Sequence, residues 1–264
     1  MIVYGINPVL EALRAGRVRR LRVARSDRRI DEALTLAREL RVPVERVDVQ
    51  VLGRVARGGA HQGIAADLAP PRDYSLEELV TLAAPEPPLI VVLDGIEDPH
   101  NVGAIIRTAD AAGCHGIVRQ QRHAASLDGI AGKASAGAVA HVKVATVVNV
   151  ARAIEELKTL SVWTVGLEAG SDASYHQVDL RLPTALVLGA EGTGLRRLVR
   201  ERCDRLVSIP MFGAVDSLNV SVTAGVTLFE AVRQRHGSRP IAGRRGSPTD
   251  ELPRDEGHDE GDIS

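Results

Sequence analysis

The sequence predicts an α/β fold in two parts, a small N-terminal α/β module followed by a larger α/β domain built on a parallel sheet. Apolar strand-like runs alternate with amphipathic helical stretches along most of the chain, a pattern typical of α/β proteins. From Leu89 the run LIVVLDGI is almost continuously apolar, as expected of a strand buried on both faces of a parallel sheet. Two proline clusters precede it, so we predict a module over residues 1–70, a linker over 71–88 and a second domain over 89–236.

The N-terminal module is predicted to alternate helices with strands. Helices are expected from about Asn7 to Gly16, from about Arg29 to Arg41, and in a short segment ending at Arg57. The strands that separate and follow them are RRLRVA, VPVERV and GIAADL.

The rest of the chain continues this alternation. The linker is expected to hold one helix, from about Ser75 to Ala83. After the strand at Leu89, the predicted strands are HGIVR, HVKVAT, SVWTVGL, TALVLG and RLVSIP, separated by helices such as VVNVARAIEELKTL. Residues 237–264 are poor in apolar side chains and interrupted by Pro and Gly, so we expect them to be disordered, because burial cannot offset their ordering entropy.

Composition excludes several classes of protein. Of the 264 residues, 44% are hydrophobic and 25% charged, as in an ordinary globular protein. No apolar run approaches the roughly 20 residues that span a bilayer, and the start lacks the layout of a secretion signal, so we expect a cytoplasmic protein without a membrane contact. The two cysteines, Cys114 and Cys203, are expected to be buried thiols. No CxxC, and no histidine pair four residues apart, predicts a metal site.

Charge is unevenly distributed along the chain. Residues 1–60 hold thirteen arginines against seven acidic residues, a local excess of +6, although the whole chain has a net charge of -1. A basic segment of this kind favours a polyanionic partner such as RNA.

The first motif with candidate functional residues is DGIEDPHNVGAIIRTADAAG, residues 94–113. Asn101 lies near the predicted start of a helix whose residues Val102, Ile105, Ile106 and Ala109 are expected to face inward. Asn101 could simply cap that helix. Arg107 could be an ordinary surface arginine, but its planar guanidinium among apolar neighbours is suited to binding phosphate.

The second motif, GAEGTG, surrounds Glu191 with glycines. Glycines permit a phosphate-binding loop, but the GK[ST] ending of a Walker loop is missing and a carboxylate would repel a polyphosphate. Glu191 better suits a cation or a hydroxyl donor. A plain turn with a solvated glutamate remains the alternative.

The third motif, SLNVS, places Ser217 and Asn219 before a helix. Either residue could be a helix cap. Their position behind an Ile-Pro-Met segment instead predicts a lined pocket. The helix that follows is expected to bury a stripe formed by Val222, Val226, Phe229 and Val232. No GxSxG elbow or neighbouring histidine indicates a hydrolase.

Each of the three motifs follows a predicted strand and leads into a helix. Ligands usually bind in crevices at the carboxyl edge of an α/β sheet. We therefore predict that the loops bearing Asn101, Glu191 and Ser217 converge into a single cleft.

The same segments, in this order, resemble the SPOUT-class RNA ribose methyltransferases of the TrmH-like group. The resemblance extends over about residues 3–235 and includes YGINPVLEAL and GGAHQGI as well as the three motifs. It implies an N-terminal RNA-binding domain, a SPOUT catalytic domain with a C-terminal trefoil knot, a homodimer, and S-adenosylmethionine as cofactor. It also implies cofactor contacts at Gly189, Ile209 and Leu218, and five catalytic residues: Asn101, Arg107, Glu191, Ser217 and Asn219.

The resemblance implies methylation of the ribose 2'-hydroxyl of a guanosine in 23S rRNA. A tRNA or another rRNA site is the alternative within this class, and the N-terminal module favours rRNA over the shorter tRNA enzymes. A non-catalytic RNA-binding ribosome-assembly factor is the alternative outside it. Because a guanidinium stays protonated in proteins, we interpret Arg107 as a clamp for the target phosphate rather than as a base.

Overall fold

The structure is a computed structural model of the chain. It describes residues 2–25, 28–69, 72–122, 124–125, 131, 134–135 and 138–237. The predicted disorder of the C-terminal segment therefore concerns residues that lie, except for Gly237, outside the described ones.

The N-terminal part forms a four-stranded sheet in the order β1-β4-β2-β3. β4 pairs antiparallel with β1 and β2, whereas β2 and β3 are parallel. Its elements are β1 (Ile2–Tyr4), α1 (Ile6–Arg14), β2 (Val18–Val23), α2 (Arg28–Glu39), β3 (Val44–Arg46), α3 (Val49–Val55) and β4 (Ile64–Leu68). The predicted helices and strands are present, and β1 is an additional strand, too short for its sequence to reveal a period.

The segment GGAHQGI organises the start of this part. The N-cap of α1 is Gly5, which has no side chain to cap the helix, and the Ile6 amide instead donates to Oε1 of Gln62 at 2.9 Å. Gly59 lies against the ring of Tyr4, where an added Cβ would come within 2.5 Å of the Tyr4 hydroxyl. These residues therefore have a structural role in joining the loop to β1 and α1.

The second part is a six-stranded sheet in the order β10-β8-β9-β5-β6-β7. Every pair between its strands is parallel. The strands are β5 (Leu89–Asp94), β6 (Gly116–Gln120), β7 (Val144–Val147), β8 (Trp163–Leu167), β9 (Thr184–Gly189) and β10 (Arg205–Val207). The helices are α4 (Leu76–Thr81), α5 (Pro99–Ala111), α6 (Val150–Thr159), α7 (Arg197–Arg202) and α8 (Val220–His236).

Helices cover both faces of this sheet. Alternate residues of β5 enter two different cores: Leu89, Val91 and Leu93 pack with α5 and α8, and Ile90 and Val92 pack with α4, α6 and α7. All six residues of β5 are buried, as the continuous apolar run predicts. Among the described helices, none is long and apolar enough to cross a membrane.

The two parts are packed together. Arg17 donates to the Val139 carbonyl at 3.1 Å, and α1 shares a core with Ala138 and Val142. The predicted linker is also anchored, because Asp73 accepts from the Thr146 amide at 2.8 Å and α4 contributes to the core.

The predicted buried stripe on α8 is wrong for most of its members. Val222 and Phe229 are 48% and 47% exposed, and only Val232 of the stripe is buried. The face that packs on α5 is instead formed by Val220, Ala224, Thr227, Leu228 and Ala231. Gly225 lies beside this contact, where an added Cβ would be 3.9 Å from the Thr108 methyl, an ordinary van der Waals distance. The helix thus has two apolar faces, and the described residues of this chain cover only one.

Candidate active site

A cleft of about 1100 Å³ lies at the carboxyl edge of the second sheet. It is formed by the loops that follow β8, β9 and β10. Six of the eight predicted site residues line it: Gly189, Glu191, Ile209, Ser217, Leu218 and Asn219. Asn101 and Arg107 are not among the described lining residues.

Asn219 joins the three motifs. It is the N-cap of α8, and its Oδ1 accepts from the Ser221 amide at 2.9 Å and from the Ser221 hydroxyl at 2.5 Å. Its Nδ2 donates to Oδ1 of Asn101 at 3.0 Å and to Oε1 of Glu191. Both hydrogens and both acceptor positions of the amide are therefore used within the protein. The convergence predicted for Asn101 and Glu191 is present, and it depends on Asn219.

Asn101 lies inside α5 rather than at its cap. The cap is Asp98, whose side chain accepts from the His100 amide at 2.9 Å, and Pro99 occupies the first turn. The cap interpretation of Asn101 is therefore wrong. Its side chain is only 7% exposed, and a buried amide of this kind needs a partner, which Asn219 provides.

The loop after β9 is tightly folded around glycines. A Cβ on Gly189 would come within 2.2 Å of the Gly194 backbone, and the Gly194 amide donates to the Ala190 carbonyl at 2.9 Å. This turn presents the exposed Glu191, whose Oε1 receives Asn219 and, at 3.4 Å, the Val220 amide. Among the described residues Oε2 of Glu191 has no hydrogen-bond partner, so it can accept from a ligand.

Ser217 is exposed in the cleft, and its hydroxyl donates to Oδ1 of Asp216 at 3.2 Å. That contact leaves the acceptor positions of the hydroxyl available. Leu218 and Ile209 are partly buried beside it. The third motif thus lines a pocket, as predicted, and Asn219 also caps a helix.

Arg107 is exposed and separate from the Asn219 cluster. It follows Asn101 by six residues, which in an α-helix is a rise of about 9 Å and a turn of about 240°. Among the described residues it has no hydrogen-bond or ion-pair partner. Among the described residues, Arg107 thus forms no hydrogen bond with the other four predicted catalytic residues.

The sequence reasoning missed an ion pair that holds two motifs together. Asp94, buried at the end of β5, accepts from the Arg196 amide at 2.9 Å and from its Nε at 2.6 Å. Arg196 also donates to Oε1 of Gln120 at 2.7 Å. A carboxylate at the end of a strand buried on both faces is the signal that could have revealed this pair.

Glu168 was also missed. It directly follows β8 and lines the cleft, and its Oε1 is paired with Arg200 at 2.7 Å. Its Oε2 is buried and has no hydrogen-bond partner among the described residues. With Glu191 and Asp216, the cleft thus offers three carboxylates and an apolar wall that includes Leu167, Leu188, Val207 and Pro210. This set fits a ligand with apolar rings, hydroxyl donors and positive charge, such as S-adenosylmethionine.

The cysteines play no part in this site. Burial raises the pKa of Cys114 to about 11 and that of Cys203 to about 12, so both thiols stay protonated near neutral pH. The Cys114 thiol donates to the Leu89 carbonyl at 3.0 Å. Within the described part of the chain, no group of three His, Cys, Asp or Glu side chains could hold a metal ion.

Comparison with known families decides the membership of this chain. The family model described as "SpoU rRNA Methylase family" matches residues 88–229, which include all three motifs and the cleft. The chain belongs to the SpoU rRNA methylase family. A second model, described as "RNA 2'-O ribose methyltransferase substrate binding", matches residues 2–74. The predicted family and the predicted enzyme class, an RNA 2'-O-ribose methyltransferase, are confirmed.

Relatives within the SpoU family cover most of this chain. RlmB of Photorhabdus laumondii, named a 23S rRNA (guanosine-2'-O-)-methyltransferase, is 43% identical over 89% of this chain and 98% of its own. A protein of Mycolicibacterium gilvum, named an uncharacterized tRNA/rRNA methyltransferase, is 44% identical over 89% of this chain and 76% of its own.

A solved SpoU structure is similar throughout. The SpoU methyltransferase AviRb from Streptomyces viridochromogenes, in complex with AdoMet, superposes with a TM-score of 0.76 at 30% identity, covering 89% of this chain and 90% of that chain. The predicted α/β class, with a small N-terminal part and a parallel-sheet catalytic domain, is confirmed.

Proposed function

We propose that this enzyme transfers a methyl group from S-adenosylmethionine to the ribose 2'-hydroxyl of a guanosine in 23S rRNA. The observation that carries the proposal is the Asn219 amide, which joins Asn101 and Glu191 beside a cleft of about 1100 Å³. The identity to RlmB over nearly the whole chain supports the choice of nucleotide and RNA. Because this substrate belongs to the ribosome, a cytoplasmic location is proposed for the enzyme.

The cofactor is proposed to lie in this cleft, against the backbone of Gly189, Ile209 and Leu218. The AviRb complex supports this assignment, because AviRb is a structural neighbour that binds AdoMet. When bound, S-adenosylmethionine supplies a methyl group on a positively charged sulfur. The residues of the chain then have to orient the ribose hydroxyl and ease the loss of its proton, and orientation alone can lower a barrier by several kcal/mol.

The proposed roles follow from which polar atoms remain available. Asn219 and Asn101 hold the three loops in register, because the Asn219 amide is fully used. Oε2 of Glu191 and the acceptor positions of the Ser217 hydroxyl are available to the ribose hydroxyl. Arg107, exposed and unpaired within the described residues, is proposed to clamp the phosphate next to the target ribose.

The N-terminal part is proposed to bind the RNA. Its match to a substrate-binding family model and its excess of arginine support this role. The boundaries 1–70, 71–88 and 89–236 are proposed for the domains, with residues 237–264 as a tail. The two sheets share no described strand, which supports the division.

A homodimer is proposed, and the outward face of α8 supports it. Val222, Val226 and Phe229 lie on one side of the helix, and Val222 and Phe229 are about half exposed. An apolar stripe of this kind is suited to pack on a second copy. Light scattering should give the mass of a dimer for the wild type and that of a monomer for Phe229→Glu. Leu40→Glu, a matched change at an exposed leucine of the N-terminal part, should remain dimeric.

A trefoil knot in the C-terminal part is proposed from the family membership. The sheet order supports it, because β10 follows β9 in the chain but lies beyond β8, so the chain must return across β8 and β9 before α8. Stretching the chain by its two ends in an optical trap tests the knot. A knotted chain should extend less than the roughly 3.5 Å per residue of an open one.

Mapping of ribose methylation tests the proposed reaction. Total rRNA and tRNA from cells with and without the gene should differ at one guanosine of 23S rRNA. Purified enzyme should methylate a 23S rRNA fragment containing that guanosine, and the same fragment with a 2'-deoxyguanosine there should accept no methyl group. If cells without the gene retain every ribose methylation, the proposal is contradicted.

A tRNA or another rRNA site is the second candidate. The similarity to the Mycolicibacterium gilvum protein, named for both kinds of RNA, favours keeping it. The same mapping separates the two candidates, because the lost methyl group would then be found in tRNA or elsewhere in rRNA. A non-catalytic assembly factor would leave every methylation in place.

A further inference from the structure

Glu168 is held in one orientation at the wall of the cleft. Its side chain is only 20% exposed, and Oε1 is paired with Arg200 at 2.7 Å. Its backbone is fixed as well, since the Glu168 amide donates to the Val207 carbonyl at 3.0 Å. The carboxylate therefore needs little further ordering to bind a ligand.

The other oxygen of this carboxylate is unsatisfied. Oε2 of Glu168 is buried and lacks a hydrogen-bond partner among the described residues. It faces Gly194, where even a Cβ would lie 3.3 Å from it. Leaving a buried acceptor unpaired is unfavourable, and the unfavourable term is larger for a charged group. Glu168 and Gly194 both line the cleft, so a ligand that reaches Oε2 from the cleft and donates a hydrogen bond to it would remove this penalty.

The position of Glu168 in the sheet relates it to the methyl-transfer cluster. Asn101 follows β5, Glu191 follows β9 and Glu168 follows β8, and these three strands are successive neighbours. Adjacent strands lie about 4.8 Å apart, so the loops after β5 and β8 are separated by about 10 Å at the sheet edge. A nucleoside that presents its reactive end at the cluster can reach Glu168 with its sugar.

The surroundings of the Glu168 carboxylate favour one kind of hydrogen-bond donor on the ligand. Arg200 already compensates the charge of Glu168, so the pair has little net attraction for a cationic ammonium group. The amino group of adenine is flanked by ring nitrogens, which are acceptors and would repel the carboxylate. A ribose hydroxyl is a neutral donor whose vicinal hydroxyl can donate as well, and its bond to a carboxylate is charge-assisted.

We infer that Glu168 binds a ribose hydroxyl of the cofactor and thereby selects ribonucleoside ligands for the cleft. The inference rests on the proposed function, because it takes S-adenosylmethionine to be the ligand. It adds a side-chain contact to the cofactor contacts proposed for the backbone of Gly189, Ile209 and Leu218.

Calorimetric titration of the full chain with S-adenosylhomocysteine and its 2'-deoxy and 3'-deoxy forms tests the inference by binding rather than by activity. The wild type should bind the form that lacks the contacted hydroxyl about 10-fold more weakly, the effect of losing one hydrogen bond to a charged group. In Glu168→Ala this discrimination should fall to less than about 2-fold, because both forms then lack the bond. Glu168→Gln, which preserves shape, serves where the alanine variant does not fold.

Two controls isolate the contact. Glu201→Gln removes an exposed acid of α7 that lies outside the cleft, and it should leave both affinity and discrimination unchanged. 5'-Methylthioadenosine has the ribose but no amino-acid part, so Glu168→Ala should weaken its binding as much as that of S-adenosylhomocysteine.

Several results would overturn the inference. They are equal binding of ribose and deoxyribose forms by the wild type, unchanged discrimination in the Glu168 variants, and a loss confined to ligands with the ammonium group. Failure of the wild type to bind S-adenosylhomocysteine at all would instead contradict the proposed function. The two failures are therefore distinguishable.

Discussion

Asn219 donates a hydrogen bond to Asn101 at 3.0 Å across 118 residues of sequence. The same nitrogen donates to Glu191, and the oxygen of the amide caps α8. One side chain thus fixes the relative positions of the start of α5, the loop after β9 and the start of α8. The candidate site depends on this connection, because the polar atoms left free, on Glu191 and Ser217, lie on the loops that it holds.

Replacement of Asn219 by alanine should reduce both stability and methyl transfer. The loss of the cap alone lowers the free energy of unfolding by about 1 kcal/mol, and the unpaired, buried Asn101 adds to this. Asn149→Ala is the matched control, since Asn149 caps α6 through the Arg152 amide. Urea unfolding should show a smaller loss for the control, and methyl transfer should be retained. Equal activity in the two variants would contradict the role given to Asn219.

Removal of the Arg196 side chain should destabilise the protein strongly. Arg196 is half exposed, but Arg196→Met leaves the buried Asp94 carboxylate without its charged partner, and an uncompensated buried charge costs about 3 kcal/mol. Its neighbour Arg197 forms an exposed pair with Glu201, so Arg197→Met should cost less than about 1 kcal/mol. Urea unfolding of both variants measures the difference. Similar midpoints and slopes for the two would rule out a structural role for the Asp94 pair.

Arg107→Lys should slow methyl transfer without weakening cofactor binding. Lysine keeps the charge but loses the planar fork that binds phosphate, and one lost charge-assisted contact lowers the rate about 10-fold. Arg152→Lys, at an exposed position of α6, should have no effect on the rate. Single-turnover transfer and calorimetry with S-adenosylhomocysteine separate the two steps. Full activity of Arg107→Lys would defeat the phosphate-clamp interpretation.

Lowering the pH should protonate Glu230 on α8 and thereby remove its contribution to the free energy of unfolding. A hydrogen bond from Arg233 lowers the pKa of Glu230 from 4.5 to about 2. Because the pKa is lower in the folded state, the contribution is complete above the unfolded value of 4.5 and is lost as the pH falls toward 2. Between pH 6 and pH 3, the free energy of unfolding measured with urea should fall less for Glu230→Gln than for the wild type. The same pH dependence in both proteins would show that Glu230 does not contribute to it.

Local sequence patterns predicted most of the fold, because the spacing of apolar residues differs between helices and strands. The continuous apolar run of β5 is buried on both faces, and Val102, Ile105, Ile106 and Ala109 of α5 face inward as expected. The outward stripe of α8 shows the limit of this reasoning. Its spacing is helical, but spacing alone does not reveal which of two apolar faces packs on α5.

The sequence by itself determined the α/β class, the three motifs and the family, since each resides in residue types at fixed spacing. The tertiary structure alone decided which motif residues meet: it joined Asn101, Glu191 and Asn219, left Arg107 apart, and added Asp94 with Arg196 and Glu168. The physical reason is that these contacts span from 28 to 118 residues and depend on strand order, which places distant loops at one sheet edge. The spacing of residues within one helix or strand contains no information on the order of strands in the sheet.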